Sequence, residues 1–138
     1  NAKRHNIKIN FSHSNLLNIK SKTFNFKTLK LYNSIIITAN LPYLTSQQFK
    51  NSPTIQREPR LAIVADDRDG LSLYNKLLLQ IQKLTTYHSQ ITAFLEIDPD
   101  QSILITKMIK QHLPKANIEI KKDLAGRDRV VVIKLIKF

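Results

Sequence analysis

The stretch Ile35-Ile36-Ile37-Thr38-Ala39-Asn40-Leu41-Pro42-Tyr43 constrains this chain more than any other. A short β-branched apolar run that stops at a polar residue, a proline and an aromatic ring reads as a strand buried on both faces. The residues after Ala39 then sit at the carboxyl edge of a sheet, where open α/β sheets bind their ligands. Leu41 precedes a proline, so its backbone is driven to extended or polyproline geometry and cannot begin a helix at once. The Asn40 side chain and the Leu41 carbonyl can therefore point together at one small polar group, with the Tyr43 ring as a wall. An amide NH₂ fits that description, having two donors to give and a flat face to pack.

A chain of 138 residues is long enough for one domain with a real core and too short for two ordinary ones. No apolar run approaches bilayer length and no charged, then apolar, then small-residue leader opens the chain, so it reads as soluble. Cysteine is absent, which excludes disulfides and thiolate metal sites, and His5, His13, His88 and His112 lack ligand spacing. The net charge of +12 is lopsided: residues 1–57 carry nine Lys or Arg and no acid, against thirteen basic and ten acidic residues in 58–138. A basic surface attracts nucleic acid or an acidic partner. The lysines are not interleaved with stacking aromatics, so the nucleic-acid case is weak, and a coding sequence rich in A and T explains the excess equally well.

Along the chain, Ile7, Ile9 and Phe11 alternate with Lys8 and Asn10, which predicts a half-buried strand over 6–11. Ser12 to Leu17 turn out of it, and Ser21 to Tyr32 are polar, lysine-rich and of no definite pattern. Thr45 or Ser46 caps a short helix to about Asn51. After the acidic cluster Asp66, Asp67 and Asp69, Asp69-Gly70 reads as a helix entry, followed by Leu71, Tyr74, Leu77, Leu78, Ile81 and Leu84 at helical spacing. Ile91 to Ile97 is a buried strand. Asp100 is expected to cap a helix with Leu104, Ile105, Met108, Ile109 and Leu113 facing inward. Ile118 and Ile120 alternate with charges as in an edge strand, and Arg129 to Ile136 is a β-branched strand; the short link between the two forces them to be antiparallel.

These pieces, taken in order, resemble a family. Asn40-Leu41-Pro42-Tyr43 is similar to the Asn-Pro-Pro-Tyr signature of amino-directed, S-adenosylmethionine-dependent methyltransferases. Glu58-Pro59, Asp69-Gly70-Leu71 with Tyr74 and Leu77-Leu78, Glu96-Ile97 with Gln101, and Asp123-Leu124-Ala125-Gly126-Arg127-Asp128-Arg129-Val130-Val131 extend the match. The whole combination resembles the release factor glutamine methyltransferases, the HemK/PrmC family, most specifically in its last block. The resemblance implies an α/β fold: the carboxyl-terminal part of a Rossmann-like class I methyltransferase sheet, mostly parallel with an antiparallel last strand. Residues 1–138 are then one partial methyltransferase catalytic domain lacking the first two strands and the glycine-rich loop, for the two glycines, Gly70 and Gly126, lie in other motifs. In the family's sheet the four remaining strands pair in the order 35–39, 91–97, 129–136, 117–122, and the strand at 6–11 is left as an exposed or displaced edge.

The resemblance also implies chemistry. Asn40, Leu41, Pro42 and Tyr43 are the expected catalytic and substrate-binding residues, and Asn15, Leu16 and Asn40 the expected contacts to the cofactor, S-adenosylmethionine. Asn15 stands where the family usually has an aspartate near the adenine, and Leu41 where it has proline, though only the carbonyl is needed there. The implied partner is the Gly-Gly-Gln loop of a peptide chain release factor, methylated at its glutamine amide, with the isolated chain expected to be inactive. Asp123, Arg127, Asp128 and Arg129 read first as a structural turn with ion pairs; Glu58 and Glu96 either orient the loop over the site or cap backbone amides. Two other readings stay open: a non-catalytic or decayed methyltransferase fragment, and an adenine-N6 nucleic-acid methyltransferase using the same acceptors.

Overall fold

The computed structural model describes residues 1–19, 33–65, 67–88 and 90–136; the expectations for Ser21 to Tyr32 and for Asp66 lie outside them. The chain divides into two units, Asn1–Leu31 and Tyr32–Phe138. In the first, the amides of His5, Asn6 and Ile7 bond back to the carbonyls of Asn1, Lys3 and Ala2 in an opening turn. Residues 7–13 come next, without strand pairing among the described residues. Strands β1 (Ser14–Asn15) and β2 (Asn18–Ile19) then pair antiparallel in a minimal hairpin.

The strand expected over 6–11 therefore does not form. Ile7, Ile9 and Phe11 are 59%, 51% and 86% exposed, so the alternation that suggested a half-buried strand buries nothing. A strand exists only through ladder bonds to a neighbour, and none of the described strands supplies one here.

The second unit is built on a four-stranded sheet. Its elements in chain order are β3 (Ser34–Ala39), α1 (Ser46–Lys50), α2 (Arg60–Ile63), α3 (Ser72–Leu84), β4 (Gln90–Glu96), α4 (Ser102–His112), β5 (Asn117–Lys122) and β6 (Asp128–Ile136). Spatially the strands run β3-β4-β6-β5, the order that the family resemblance implies. The pair β3 and β4 is parallel, and β6 lies antiparallel to both β4 and β5, so β3, β4 and β5 share one direction.

Register explains the core. Ile37 lies beside Ala93, Ala93 beside Ile133 and Ile133 beside Ile118; one step along, Ala39, Leu95, Val131 and Ile120 form the next row. This face and the buried faces of α3 (Tyr74, Leu77, Leu78, Ile81, Leu84) and α4 (Ile105, Ile109) make the hydrophobic core. Full burial of each such side chain is worth about 1.5–3 kcal/mol, which is what holds two helices on a sheet this small. The opposite face carries Ile36 and Phe94, both exposed.

Candidate functional site

All the strand ends that matter meet at one edge. Because β3 and β4 run parallel and β6 runs against them, the residues after Ala39, the residues after Glu96 and the first residues of β6 lie together at the carboxyl edge. Asn40 to Tyr43 leave β3 there in an irregular segment, and Leu44 then forms a parallel bridge to Val64: the Leu44 amide donates to the Ile63 carbonyl at 3.0 Å and the Ala65 amide to the Leu44 carbonyl at 2.9 Å. Thr45 and Gln48 form a reciprocal capping box that starts α1 immediately afterwards. The tetrapeptide is thus held between a strand and a capped helix.

Asn40 is exposed, and Leu41, Pro42 and Tyr43 are half-buried. Neither the Asn40 side chain nor the Leu41 carbonyl has a hydrogen-bond partner among the described residues. Tyr43, by contrast, is held at both ends. Its hydroxyl donates to Glu96 Oε1 at 3.4 Å, and its carbonyl accepts from Gln101 Nε2 at 3.0 Å. Partial burial, and then the charge of Glu96, raise the Tyr43 phenol above its ordinary value, with Arg129 acting in the opposite sense. Glu96 thus contacts the loop through the Tyr43 hydroxyl; Glu58 is exposed beyond the short 3₁₀ turn Ile55–Arg57.

Behind this edge the Glu96 carbonyl accepts from the buried Tyr74 hydroxyl. The Asp123 to Asp128 block closes the β5–β6 connection. Asp123 accepts from the amides of Ala125 and Arg127 at 2.9 and 3.0 Å and pairs with both the Arg127 and Arg129 guanidinium groups. The Arg127 amide foremost, with the Arg129 guanidinium behind it, holds its carboxyl below the usual range. Arg129 also reaches the Ile97 carbonyl at 3.3 Å, so this turn buttresses the end of β4. Ion pairs and backbone bonds close this turn, and the Arg129 charge opposes the rise of the Tyr43 phenol.

Two expected caps are corrected. Asp67, not Asp69, caps α3: its Oδ2 accepts from the Leu71 and Ser72 amides at 3.0 and 2.7 Å. Asp98, not Asp100, starts the helical run at Pro99–Gln101 that leads into α4. Asp98 has the extended backbone of an N-cap and accepts from the Asp100 amide, while Asp67 reaches forward four and five residues to the amides at the start of α3.

Asn15 and Leu16 belong to the first unit, at the tip of the β1–β2 hairpin. Leu16 has φ +55°, a left-handed conformation rare for a branched side chain, and its carbonyl accepts from Ser14 Oγ at 2.8 Å. Asn40, Leu41, Pro42 and Tyr43 belong to the second unit and are contiguous there.

No protein-family profile matches the chain. Among curated proteins, the release factor glutamine methyltransferase of Bacillus cereus is 29% identical over 133 residues, covering 95% of this chain and 44% of the relative. That of Staphylococcus aureus is 29% identical over 136 residues, covering 97% and 45%. That of Thermodesulfovibrio yellowstonii is 32% identical over 98 residues, covering 70% and 34%. This chain resembles the carboxyl-terminal half of release factor glutamine methyltransferases. It spans less than half the length of these methyltransferases. A solved release-factor-specific protein-(glutamine-N5) methyltransferase from Alicyclobacillus acidocaldarius matches 54% of this chain and 47% of its own, at 18% identity and a TM-score of 0.36. Among the described residues no helix is long and apolar enough to cross a membrane, and no cluster of side chains is suited to hold a metal ion.

The clamp on Tyr43 is the feature that sequence reasoning missed. Gln101 was legible only as part of a motif, because nothing in its neighbourhood says that a side chain after β4 reaches back to the end of β3.

Proposed function

We propose that residues 1–138 form part of the catalytic domain of a cytoplasmic, S-adenosylmethionine-dependent methyltransferase that modifies the glutamine of the Gly-Gly-Gln loop in a peptide chain release factor. The observation that carries this reading is the state of the Asn40 to Tyr43 segment at the carboxyl edge: an amide side chain and a carbonyl left uncommitted among the described residues, beside a tyrosine fixed at both ends.

Those residues fit a planar amide substrate. Asn40 Oδ1 and the Leu41 carbonyl each accept a hydrogen bond from one of its two N–H groups, while Pro42 and Tyr43 hold its plane. An amide nitrogen is a poor nucleophile because its lone pair is delocalised, so positioning accounts for most of what such a site contributes. As the nitrogen gains positive character its protons become more acidic, and both acceptors bind the transition state more tightly than the ground state. The methylated nitrogen returns to neutrality by losing one of its protons to solvent water, so no side-chain base is obligatory. S-adenosylmethionine, when bound, supplies a methyl group activated by a sulfonium; Asn40 is the residue of the second unit proposed to touch it.

Both glycines of the chain serve elsewhere, Gly70 against the Tyr43 carbonyl and Gly126 in the β5–β6 turn. We accordingly infer that residues 1–138 alone neither bind the cofactor tightly nor turn over. Calorimetry with S-adenosylmethionine is expected to give no binding heat, and appreciable affinity overturns that part of the reading.

The function itself is tested with the full-length protein that carries these residues, S-adenosylmethionine and a release factor, read by tandem mass spectrometry. One added methyl group on the glutamine of the Gly-Gly-Gln peptide is expected. An unmodified peptide rejects the reading, and methylated adenine in added DNA or RNA replaces it with the nucleic-acid alternative.

A further inference from the structure

Gln101 is one of only two buried polar side chains among the described residues, at 6% exposure, and it uses both ends of its amide. Its Nε2 donates to the Tyr43 carbonyl at 3.0 Å and to the Asp69 carbonyl at 2.8 Å, while its Oε1 accepts from the Asp98 amide at 3.2 Å. These partners come from three separate loops: the one leaving β3, the one entering α3 and the one leaving β4. Gly70 completes the contact. With φ +67°, it lies so close that a Cβ there would stand 2.0 Å from the Tyr43 carbonyl oxygen and 2.6 Å from Gln101 Nε2.

Three hydrogen bonds from one buried amide, with no side chain tolerated on the opposite wall, leave the Tyr43 carbonyl a single position. Both Nε2 protons and one Oε1 lone pair are engaged, so neither glutamate nor a hydrocarbon can reproduce the set at neutral pH. An apolar substitute would leave two carbonyls and an amide short of partners in a dry place, which is costly enough to move the loops instead.

We propose that Gln101 is a positioning residue of the amide-binding segment: by fixing the Tyr43 carbonyl against the loops before α3 and after β4, it sets the backbone course that aims the Leu41 carbonyl and the Asn40 side chain. Gln101 touches no reacting atom. The inference rests on the proposed function for its consequence in catalysis, and on the geometry alone for its consequence in the unliganded chain.

The test separates the two. Hydrogen–deuterium exchange on the unliganded chain compares the wild type with Gln101→Met, which keeps length and apolar bulk and loses every hydrogen bond. Exchange of the peptide covering residues 40–45 is expected to quicken at least tenfold, with peptides in α3 and α4 unchanged. Unchanged exchange at 40–45, or an equal rise throughout, overturns the inference whatever the protein's substrate. Gln101→Glu decides the matter if the methionine variant does not fold: its carboxyl donates nothing when ionised and one hydrogen bond, in place of the amide's two, when protonated, so protection of 40–45 should be lost at neutral pH and partly regained at acid pH, and protection alike at both overturns the inference. In the full-length enzyme, Gln101→Met should lower kcat at least thirtyfold with the KM for S-adenosylmethionine within threefold. A fall in cofactor affinity alone, or kcat within threefold of wild type, overturns the catalytic part. Absence of methylation by the wild type rejects the proposed function and leaves the exchange result standing.

Discussion

Tyr74 has a fully buried ring and donates its hydroxyl to the Glu96 carbonyl, so it connects the core to the site's edge. Replacing it with phenylalanine leaves that carbonyl unpaired, which should cost about 1–3 kcal/mol in urea unfolding. Burial raises the Tyr74 phenol well above its ordinary value near 10 and Tyr43 in the same direction. The native state then holds these protons after the unfolded chain has released them, so stability is full below about pH 10 and falls as pH rises beyond it. The alkaline limb of a stability profile should be steep in the wild type and flatter in Tyr74→Phe; superimposable limbs would contradict the assignment. Because the Glu96 charge contributes to the shift of Tyr43, Glu96→Gln should lower the pH at which that phenol ionises, read by tyrosinate absorbance. At this scale the sequence disclosed which residues matter and only partly what each one touches. Tyr43 was legible as a wall because proline and the strand end fix its place, whereas the choice between orienting and capping roles for Glu96 depends on a contact 53 residues away.

The elements show the same division. Helical spacing alone identified α3 and its buried stripe, since Tyr74, Leu77, Leu78, Ile81 and Leu84 follow one face. Leu78→Ala should therefore cost about 2–5 kcal/mol in equilibrium unfolding. Spacing could not say which carboxylate of the Asp67, Arg68, Asp69 turn reaches the helix amides, because that depends on the positive φ of Gly70. The structure separates them: Asp67→Ala should cost about 0.5–2 kcal/mol as a lost cap, and Asp69→Ala, whose side chain is exposed, within about 0.5 kcal/mol of nothing. The β5–β6 turn gives the acid counterpart of the tyrosine prediction. Asp123 is depressed below its ordinary value near 3.8, so what it contributes is present above that pH and lost as pH falls through the lower folded value. Asp123→Asn should flatten the acid limb of the stability profile; an unchanged limb would mean that its amide and guanidinium partners do not prefer the charged form.

Across the whole molecule, strand order was the most legible feature. The family resemblance implied the order 35–39, 91–97, 129–136, 117–122 and the short link before Arg129 required the last pair to be antiparallel, and the observed β3-β4-β6-β5 sheet is that one; β3, expected to be buried on both faces, is buried on one only, with Ile36 exposed on the other. At 6–11 the exposure expected of a segment without its neighbours is observed and the strand is not, because alternation measures which side chains prefer burial and not whether a neighbouring strand exists to pair with. The Asn40 to Tyr43 segment was legible as a motif, and its anchoring by Gln101, Gly70 and Glu96 was not, because all three contacts cross between elements distant in sequence. The central claim, that Asn40 and the Leu41 carbonyl receive a glutamine amide, is tested most directly by methyl transfer to a release factor from the full-length protein bearing Asn40→Ala. Removing one acceptor aimed at developing charge should lower kcat about 10²–10³-fold while the fold, read by thermal melting, is retained. Transfer within threefold of the wild type would contradict the claim.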